Sequence, residues 1–174
     1  MKNNQRIKKL VILSVLAAIA VVVNVMESMI PIIPGTAFKI GFANIITLIA
    51  IFTYGPVEGA IVGIVRIFLG GLLSPTGFGP TFLLSFTGGL FSLVTIIIFK
   101  LINKFSIVAV STVSSLMHVV GQLLAASFLL SDVVIYYAPI MLSLSIPAGI
   151  LTGFLALRFL KISEPLFKEK EKPN

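Results

Sequence analysis

Long apolar runs, separated by charged residues, glycine and proline, form the main pattern of this chain of 174 residues. Each run approaches the ~20 residues that an α-helix needs to cross a bilayer. The pattern predicts an all-α membrane protein, with one integral membrane domain over residues 1–174 and six transmembrane helices in a single bundle. We place the helices at residues 8–30, 41–54, 57–73, 80–99, 106–130 and 134–159, followed by a disordered basic tail at residues 163–174.

The composition also indicates a membrane protein, since 57% of the residues are hydrophobic and only 11% are charged. Soluble domains have about 25% charged residues. The chain has no cysteine, which excludes disulfides, thiolate metal sites and cysteine nucleophiles. The basic residues behind the net charge of +7 lie mainly at the chain ends and in one short loop, without interleaved aromatic residues. We therefore predict no nucleic-acid partner.

The positions of the basic residues predict the orientation of the helices. If the amino terminus is cytoplasmic, the basic residues of both chain ends fall on the inner side together with Lys100 and Lys104, whereas Lys39 falls outside. This distribution satisfies the positive-inside rule. We predict that both termini are cytoplasmic.

Arg66 lies in the third predicted helix on a stripe of small residues. Gly59, Gly63 and Arg66 follow the spacing i, i+4, i+7, which places them on one helix face. An arginine within a membrane helix costs about 2.5 to 3.5 kcal/mol on insertion scales, so it needs a partner, a wet cavity or an anionic ligand. We interpret Arg66 as a ligand-binding residue. The structural alternative is an arginine that pairs with Glu27, Glu58 or backbone carbonyls.

A second polar stripe runs along the fifth predicted helix. Ser111, Ser115, His118 and Gln122 share one face at the spacing i, i+4, i+7, i+11. The serines are typical of hydrogen bonds between membrane helices, whereas His118 and Gln122 are candidates for ligand binding. Because the chain has one histidine and no clustered carboxylates, we predict no metal site and no cofactor.

Polar residues also flank the first predicted exterior loop. Glu27 lies near the outer end of the first helix, Lys39 lies within the loop, and Asn44 lies near the start of the second helix. These positions predict a pocket that opens outward and takes a small-molecule substrate of anionic or mixed aromatic character. The ligand-binding residues that we predict are Arg66, Lys39, Asn44, His118, Gln122 and Glu27.

Two exterior loops, at residues 31–41 and 73–80, are apolar and rich in proline and glycine. Bare backbone of this kind is not tolerated in lipid, so the loops either line a pocket or form tight turns at the membrane surface. Nearby phenylalanines either rim the pocket or serve in packing. They are Phe38, Phe42, Phe78 and Phe82.

The chain lacks four common sequence motifs of autonomous enzymes. It has no Walker A loop, no GxSxG elbow, no HExxH helix and no aspartate cluster for a magnesium diphosphate. We therefore predict that the protein is not an enzyme.

Pairs of small residues at a spacing of four recur in several predicted helices, as in Gly59 with Gly63 and Gly149 with Gly153. Such pairs allow close helix packing. On the first helix, Ser14, Ala17 and Ala18 form a comparable face. We predict that this face docks a partner subunit, with packing inside the bundle as the alternative.

The segment KIGFANIITLIAIFTYGPVEGAIVGIVRIFLGGLLSPTGFG, residues 39–79, resembles the bacterial membrane proteins of the Gx transporter family, also known as heptaprenyl diphosphate synthase component I. The resemblance extends over nearly all six helices. This family is similar in size, helix count and apolar first loop to the substrate-binding S components of energy-coupling factor (ECF) transporters. Lys39, Asn44 and Arg66 are the site positions that match. The first helix lacks the strict AxxxA pair of many S components.

The resemblance implies an S-component-like bundle in the bacterial cell membrane, with a ligand site that faces outward. It also implies that the first helix contacts a membrane coupling subunit, which separate ATPases drive. Our leading hypothesis is a substrate-binding subunit of an uptake transporter.

Two other hypotheses stay open from the sequence. One is a noncatalytic membrane accessory protein of isoprenoid or quinone metabolism, or of a membrane electron-transfer system, in which Arg66 binds a diphosphate or lipid headgroup. The other is a structural assembly subunit in which Arg66, His118 and Gln122 satisfy one another.

Overall fold

The computed structural model describes residues 2–29, 39, 41–75, 77–129 and 132–168. Within these residues the chain forms six α-helices and one short 3-10 helix. The helices are α1 (Lys2–Met29), α2 (Asn44–Tyr54), α3 (Pro56–Leu73), α4 (Pro80–Ile102), α5 (Ile107–Leu129) and α6 (Ala138–Lys168), and the 3-10 helix, Asp132–Tyr137, lies between α5 and α6. The prediction of an all-α bundle is confirmed.

Helix α2 is too short to cross a bilayer by itself. The other five helices are long and apolar enough to do so, whereas the 11 residues of α2 extend roughly 16 Å. We expected this helix from residue 41, but it begins at Asn44 because Gly41 has a φ of +88° and residues 42–43 form a turn. The described backbone before α2 is therefore irregular and lies within the protein.

The last helix also differs from the prediction. The segment from residue 134 starts as a 3-10 helix, and α6 begins at Ala138, where Pro139 fits the first helical turn. Helix α6 then continues through Lys168, past residue 163, where we expected a disordered tail. Leu160 still packs on the core and Ser163 is buried, so these turns belong to the bundle. Residues 169–174 lie outside the described residues.

Helix α5 is the centre of the packing, because it contacts α4 and α6 along its length, while α3 packs on α1 and α2. Apolar side chains fill the core in three clusters. Large apolar side chains also cover the outer faces, for example Leu101 and Phe128. Such outer faces are suited to lipid or to membrane partners.

Glycines stand at the closest helix crossings, as the small-residue spacing predicted. A Cβ atom at Gly59 would lie 2.1 Å from Ile51 Cγ1 and 2.7 Å from Ile51 N, so α3 passes against the backbone of α2. A Cβ atom at Gly149 or Gly153 would lie 2.7 or 2.8 Å from a backbone Cα of α5. These approaches hold α2 on α3 and α6 on α5.

Substitution of Gly59 should destabilise the bundle far more than substitution of its neighbour Gly63. Gly59→Ala meets the backbone of Ile51, which cannot move alone, whereas Gly63→Ala meets only side-chain carbons of Leu93 and Thr47 at 3.2 Å. Overpacking typically costs about 1–3 kcal/mol, and we expect Gly59→Ala at or above the top of this range. Thermal unfolding of the purified variants in detergent measures the difference.

The double variant Gly59→Ala, Ile51→Ala tests the cause. It removes the contact with Ile51 Cγ1 but leaves the backbone atoms of residue 51 within 2.8 Å of the new Cβ. Stability should therefore stay low. Full recovery would show that side-chain crowding, and not the backbone approach, sets the requirement for glycine.

Candidate ligand-binding site

Buried polar side chains gather where α1 ends and α2 and α4 begin. Their positions follow from helical periodicity, since Arg66 and the glycines of its stripe lie on the buried face of α3. The polar stripe of α5 is buried as well. The side chains surround a cavity that we call the cationic cavity. It is lined by Asn24, Glu27, Lys39, Gly41, Ala43, Arg66, Ser85 and His118.

Arg66 is the most unusual member of the site. Its side chain is only 3% exposed, yet Nε and Nη1 make no hydrogen bond to any described residue. Its own carbonyl accepts a hydrogen bond from Asn24 Nδ2 at 3.4 Å. Gly89 leaves room for the guanidinium, because a Cβ there would lie 3.3 Å from Nη2. Arg66 therefore offers buried N–H donors to the cavity.

The predicted structural alternative, in which Arg66 pairs with a carboxylate, is not seen among the described residues. Glu58 forms an ion pair with Lys9 near the opposite end of α1. Glu27 instead accepts hydrogen bonds from three backbone amides, with Oε1 2.8 Å from Gly41 N and 2.6 Å from Phe42 N, and Oε2 3.1 Å from Ala43 N. We predicted Glu27 as a ligand-binding residue, but its contacts are those of a cap before α2. A negative charge at this position also interacts favourably with the dipole of the helix.

Lys39 is held inside the protein, although we predicted that it belongs to an exterior loop. Its ammonium donates to Ser28 Oγ at 2.7 Å and to Asn24 Oδ1 at 3.2 Å, and its backbone N–H donates to Gln122 Oε1 at 3.3 Å. Burial lowers the pKa of Lys39 to about 8, although the charge of Glu27 opposes this shift. A second cation thus lies beside the cavity.

Gln122 and His118 form a fixed pair on α5. Gln122 is fully buried, and its Nε2 lies 2.8 Å from His118 Nε2. Because Oε1 of Gln122 accepts from Lys39, the amide nitrogen must donate, and His118 Nε2 must accept. A neutral His118 therefore carries its proton on Nδ1. This pair joins the loop segment at Lys39 to α5.

Asn44 lies at a second cavity, which we call the hydroxyl cavity. It is lined by Gly41, Asn44, Leu48, Ser111, Ser114, Ser115, Ala148 and Thr152. Oγ of Ser111 lies 2.9 Å from Oγ1 of Thr152, which links α5 to α6. Asn44 Nδ2 is buried and makes no hydrogen bond to a described residue. Each cavity leaves about 10 Å³ for the centre of a water molecule, which is room for about one water.

The structure thus brings five of the six predicted residues to the walls of two adjoining cavities. Gln122 lines neither cavity and contacts Lys39 and His118 behind the wall. Sequence reasoning missed Ser28, Ser85 and the part played by Gly41.

Ser85 is buried and its Oγ makes no hydrogen bond to a described residue. Ser85, Ser92 and Thr95 share one buried face of α4 at the spacing i, i+7, i+10, so this polar stripe is a sequence signal that could have pointed to Ser85. The fold shows that Ser85 and Arg66 line the same cavity.

The predicted aromatic rim has a different position from the one we expected. Phe78 and Phe82 contact each other with ring centroids 4.7 Å apart, and Phe82 continues to Phe68 and Phe86 at 6.1 and 5.9 Å. This ladder lies between α3 and α4, and it lines neither cavity. The turn around Ser74 is a compact one, with Ser74 Oγ donating to Gly71 O at 3.0 Å. Phe38 lies outside the described residues.

The predicted docking residues on α1 point in two directions. Ser14 and Ala18 are exposed and line a shallow apolar groove on the outer face of α1. Ala17 is half-buried and packs on the core cluster formed by Leu16, Ala50 and Val62. Ser14 and Ala18 therefore belong to an outer surface, whereas Ala17 also serves the bundle.

Known proteins with similar sequences or structures include membrane transporters. The S component of a bacterial ECF transporter has a similar structure, with a TM-score of 0.56, 26% sequence identity and coverage of 96% of this chain and 99% of that chain. The riboflavin transporter RibU of Staphylococcus aureus (strain TCH60) is 39% identical over 72 residues, or 41% of this chain. The match spans 38% of the length of the riboflavin transporter.

The family model of heptaprenyl diphosphate synthase component I matches residues 16–159. This range contains α2, α3, α4 and α5 in full, together with every residue that lines the two cavities. The resemblance stated from residues 39–79 is confirmed. The chain belongs to the heptaprenyl diphosphate synthase component I family.

Proposed function

We propose that this protein is the substrate-binding membrane subunit of a small-molecule uptake transporter of the ECF type. The observation that carries the proposal is Arg66, whose Nε and Nη1 point into a buried polar site without a hydrogen bond to a described residue. A charged donor in a membrane bundle marks a ligand site unless its partners are built in. The similarity to an S component, over 96% of this chain, supports the same role.

The ligand-binding residues in this proposal are Arg66, Lys39, Asn44, His118 and Gln122. Glu27 supports the site indirectly, because it holds the amides of residues 41–43 in place. A substrate larger than one water needs these cavities to widen. Among the described residues, those at the cavities offer hydrogen bonds and charge, which supports a role in ligand binding.

In the proposed function, other subunits supply the energy for transport. A coupling subunit with ATPases would dock on the exposed face of α1, which presents Ser14, Val15 and Ala18. Small residues at such a face allow another helix to approach closely. The apolar groove there supports a membrane partner.

The orientation in this proposal places both termini in the cytoplasm and the site on the outer side. Asn24, Glu27 and Asn44 lie near the helix ends that would face outward, while the exposed Arg158 and Lys161 lie at the opposite end. Basic residues on the inner side follow the positive-inside rule. A substrate would then enter from outside the cell.

Single-cysteine labelling tests the orientation, because the chain has no cysteine of its own. Tyr136→Cys, in the exposed 3-10 helix, should react with an impermeant maleimide on intact cells. Ser106→Cys, in the exposed connection between α4 and α5, should react only after permeabilisation. The reverse pattern would contradict a site that opens outward.

Loss of the Arg66 charge should release the substrate. We expect native mass spectrometry of the protein, purified gently from its own membranes, to record a bound small molecule that Arg66→Gln loses. The exposed Arg158→Gln is the matched control and should retain it. The melting temperature of Arg66→Gln checks that the bundle is still folded.

A wild-type protein without any small molecule would contradict a substrate-binding subunit. Copurification with a prenyl diphosphate synthase, in place of coupling and ATPase subunits, would favour the accessory hypothesis. A wild-type protein that binds only lipid would also favour the accessory hypothesis.

A bulky residue on the exposed face of α1 should disrupt the complex with the coupling subunit without changing substrate binding. Val15→Trp enlarges the exposed face beside Ser14, where Val15 is 53% exposed. We expect copurified coupling subunit to fall severalfold, since close helix approach is lost. Val94→Trp on α4, at 46% exposure, is the matched control. Equal losses from both variants would show that α1 has no special role in docking.

A further inference from the structure

The two cavities share one wall. Gly41 lines both of them, and its φ of +88° suits glycine. A Cβ atom at this position would lie 2.8 Å from Asn44 Nδ2 and 3.1 Å from His118 Cδ2. A small displacement of the backbone at Gly41 would therefore join the cationic cavity to the hydroxyl cavity.

The two ends of this joined space differ in chemistry. At the cationic end, Arg66 and Lys39 carry positive charge, and the carboxylate of Glu27 already accepts three backbone N–H groups. The unpartnered nitrogen donors among the described residues are Arg66 Nε, Arg66 Nη1, Nδ1 of neutral His118 and, toward the other end, Asn44 Nδ2. Groups that only donate require an acceptor as partner, and guanidinium groups bind carboxylate and phosphate well.

The hydroxyl end is uncharged. It presents the side chains of Ser111, Ser114, Ser115 and Thr152. Ser114 Oγ donates to Ser111 O at 2.9 Å, and Thr152 Oγ1 lies within hydrogen-bond distance of Ala148 O at 2.9 Å. Hydroxyls can also accept hydrogen bonds. This end suits the hydroxyl or amide groups of a neutral molecular body.

We propose that the substrate is an organic anion with two distinct ends, a phosphate or carboxylate bound by Arg66 and Lys39 and a neutral polar body along Ser111 and Thr152. The inference rests on the proposed function, which it makes more specific. The anion supplies the acceptors that the Arg66 donors lack. The neutral body occupies the hydroxyl cavity after the backbone at Gly41 moves.

Two matched pairs of compounds test the anionic end. Flavin mononucleotide and riboflavin differ by a phosphate, and pantothenate and pantothenol differ by a carboxylate. We expect the purified protein to be protected against heat by the anionic member of at least one pair, and not by its neutral partner. The pair that responds distinguishes phosphate from carboxylate.

The Arg66→Gln variant should weaken binding of the responding anion by roughly 10- to 100-fold, since a charged hydrogen bond is lost. Arg158→Gln, an exposed arginine on α6, should stay within about twofold of the wild type. Lys39→Met should act in the same direction as Arg66→Gln. If Arg66→Gln does not fold, Lys39→Met still tests the charge requirement.

The hydroxyl end is tested with Thr152→Val, which keeps the shape of the side chain and removes its hydroxyl. We expect weaker binding of the responding compound but unchanged affinity for inorganic phosphate or acetate, which fill only the cationic end. Ser143→Ala, an exposed hydroxyl on α6, is the control. Equal affinity of Thr152→Val and the wild type for the responding compound would overturn the two-ended site.

The chemical nature of the molecule that copurifies with the wild-type protein separates the two proposals. A molecule with a phosphate or carboxylate supports the inference. A neutral molecule, or equal protection by both members of a pair, overturns the inference and leaves a substrate-binding subunit in place. A protein from native membranes that holds no small molecule contradicts the proposed function itself.

Discussion

The contact between the Glu27 carboxylate and the amides of residues 41–43 is the interaction on which the site depends. These amides precede a helix that begins inside the protein, where backbone donors have little access to bulk water and need partners within the protein. The Glu27 carboxylate accepts hydrogen bonds from all three amides, and its negative charge interacts favourably with the dipole of α2. Because this contact fixes Gly41 and the start of α2, it also positions Asn44, and it leaves Arg66 without a carboxylate partner among the described residues.

Helical periodicity was sufficient to predict the buried stripes. Glycines share the helix face of Arg66, and serines precede His118 and Gln122 at helical spacing, so each stripe could be recognised in the sequence. Both stripes are buried in the structure. The role of Glu27 was not predictable in this way. Its partners are backbone amides of an irregular segment, and sequence patterns do not record which backbone groups lack partners. Ser85 was missed although Ser92 and Thr95 share its helix face, and the fold shows that it lines the same cavity as Arg66 of another helix.

The volume of the site also could not be predicted from the sequence. A count of polar residues predicted a pocket, but the volume depends on how closely helices approach. Gly88 and Gly121 let α4 and α5 come together, since a Cβ at Gly121 would lie 2.7 Å from Thr87 O. This close packing reduces the polar region to two cavities of about 10 Å³ each. In a sequence, small residues indicate only that two helices can approach closely. In the structure, the distance of that approach determines how much space the polar residues enclose.

Helix α1 connects the two surfaces on which the proposed function relies. Its inner face carries Asn24 and Glu27, which bind Lys39 and the segment before α2. Its outer face carries Ser14 and Ala18 in an exposed apolar groove. A rotation of α1 sufficient to alter the outer face would break the contacts of Glu27, because carboxylate hydrogen bonds fail beyond about 3.5 Å. In the proposed transporter, a partner that holds α1 would therefore influence whether the wall at Gly41 stays closed.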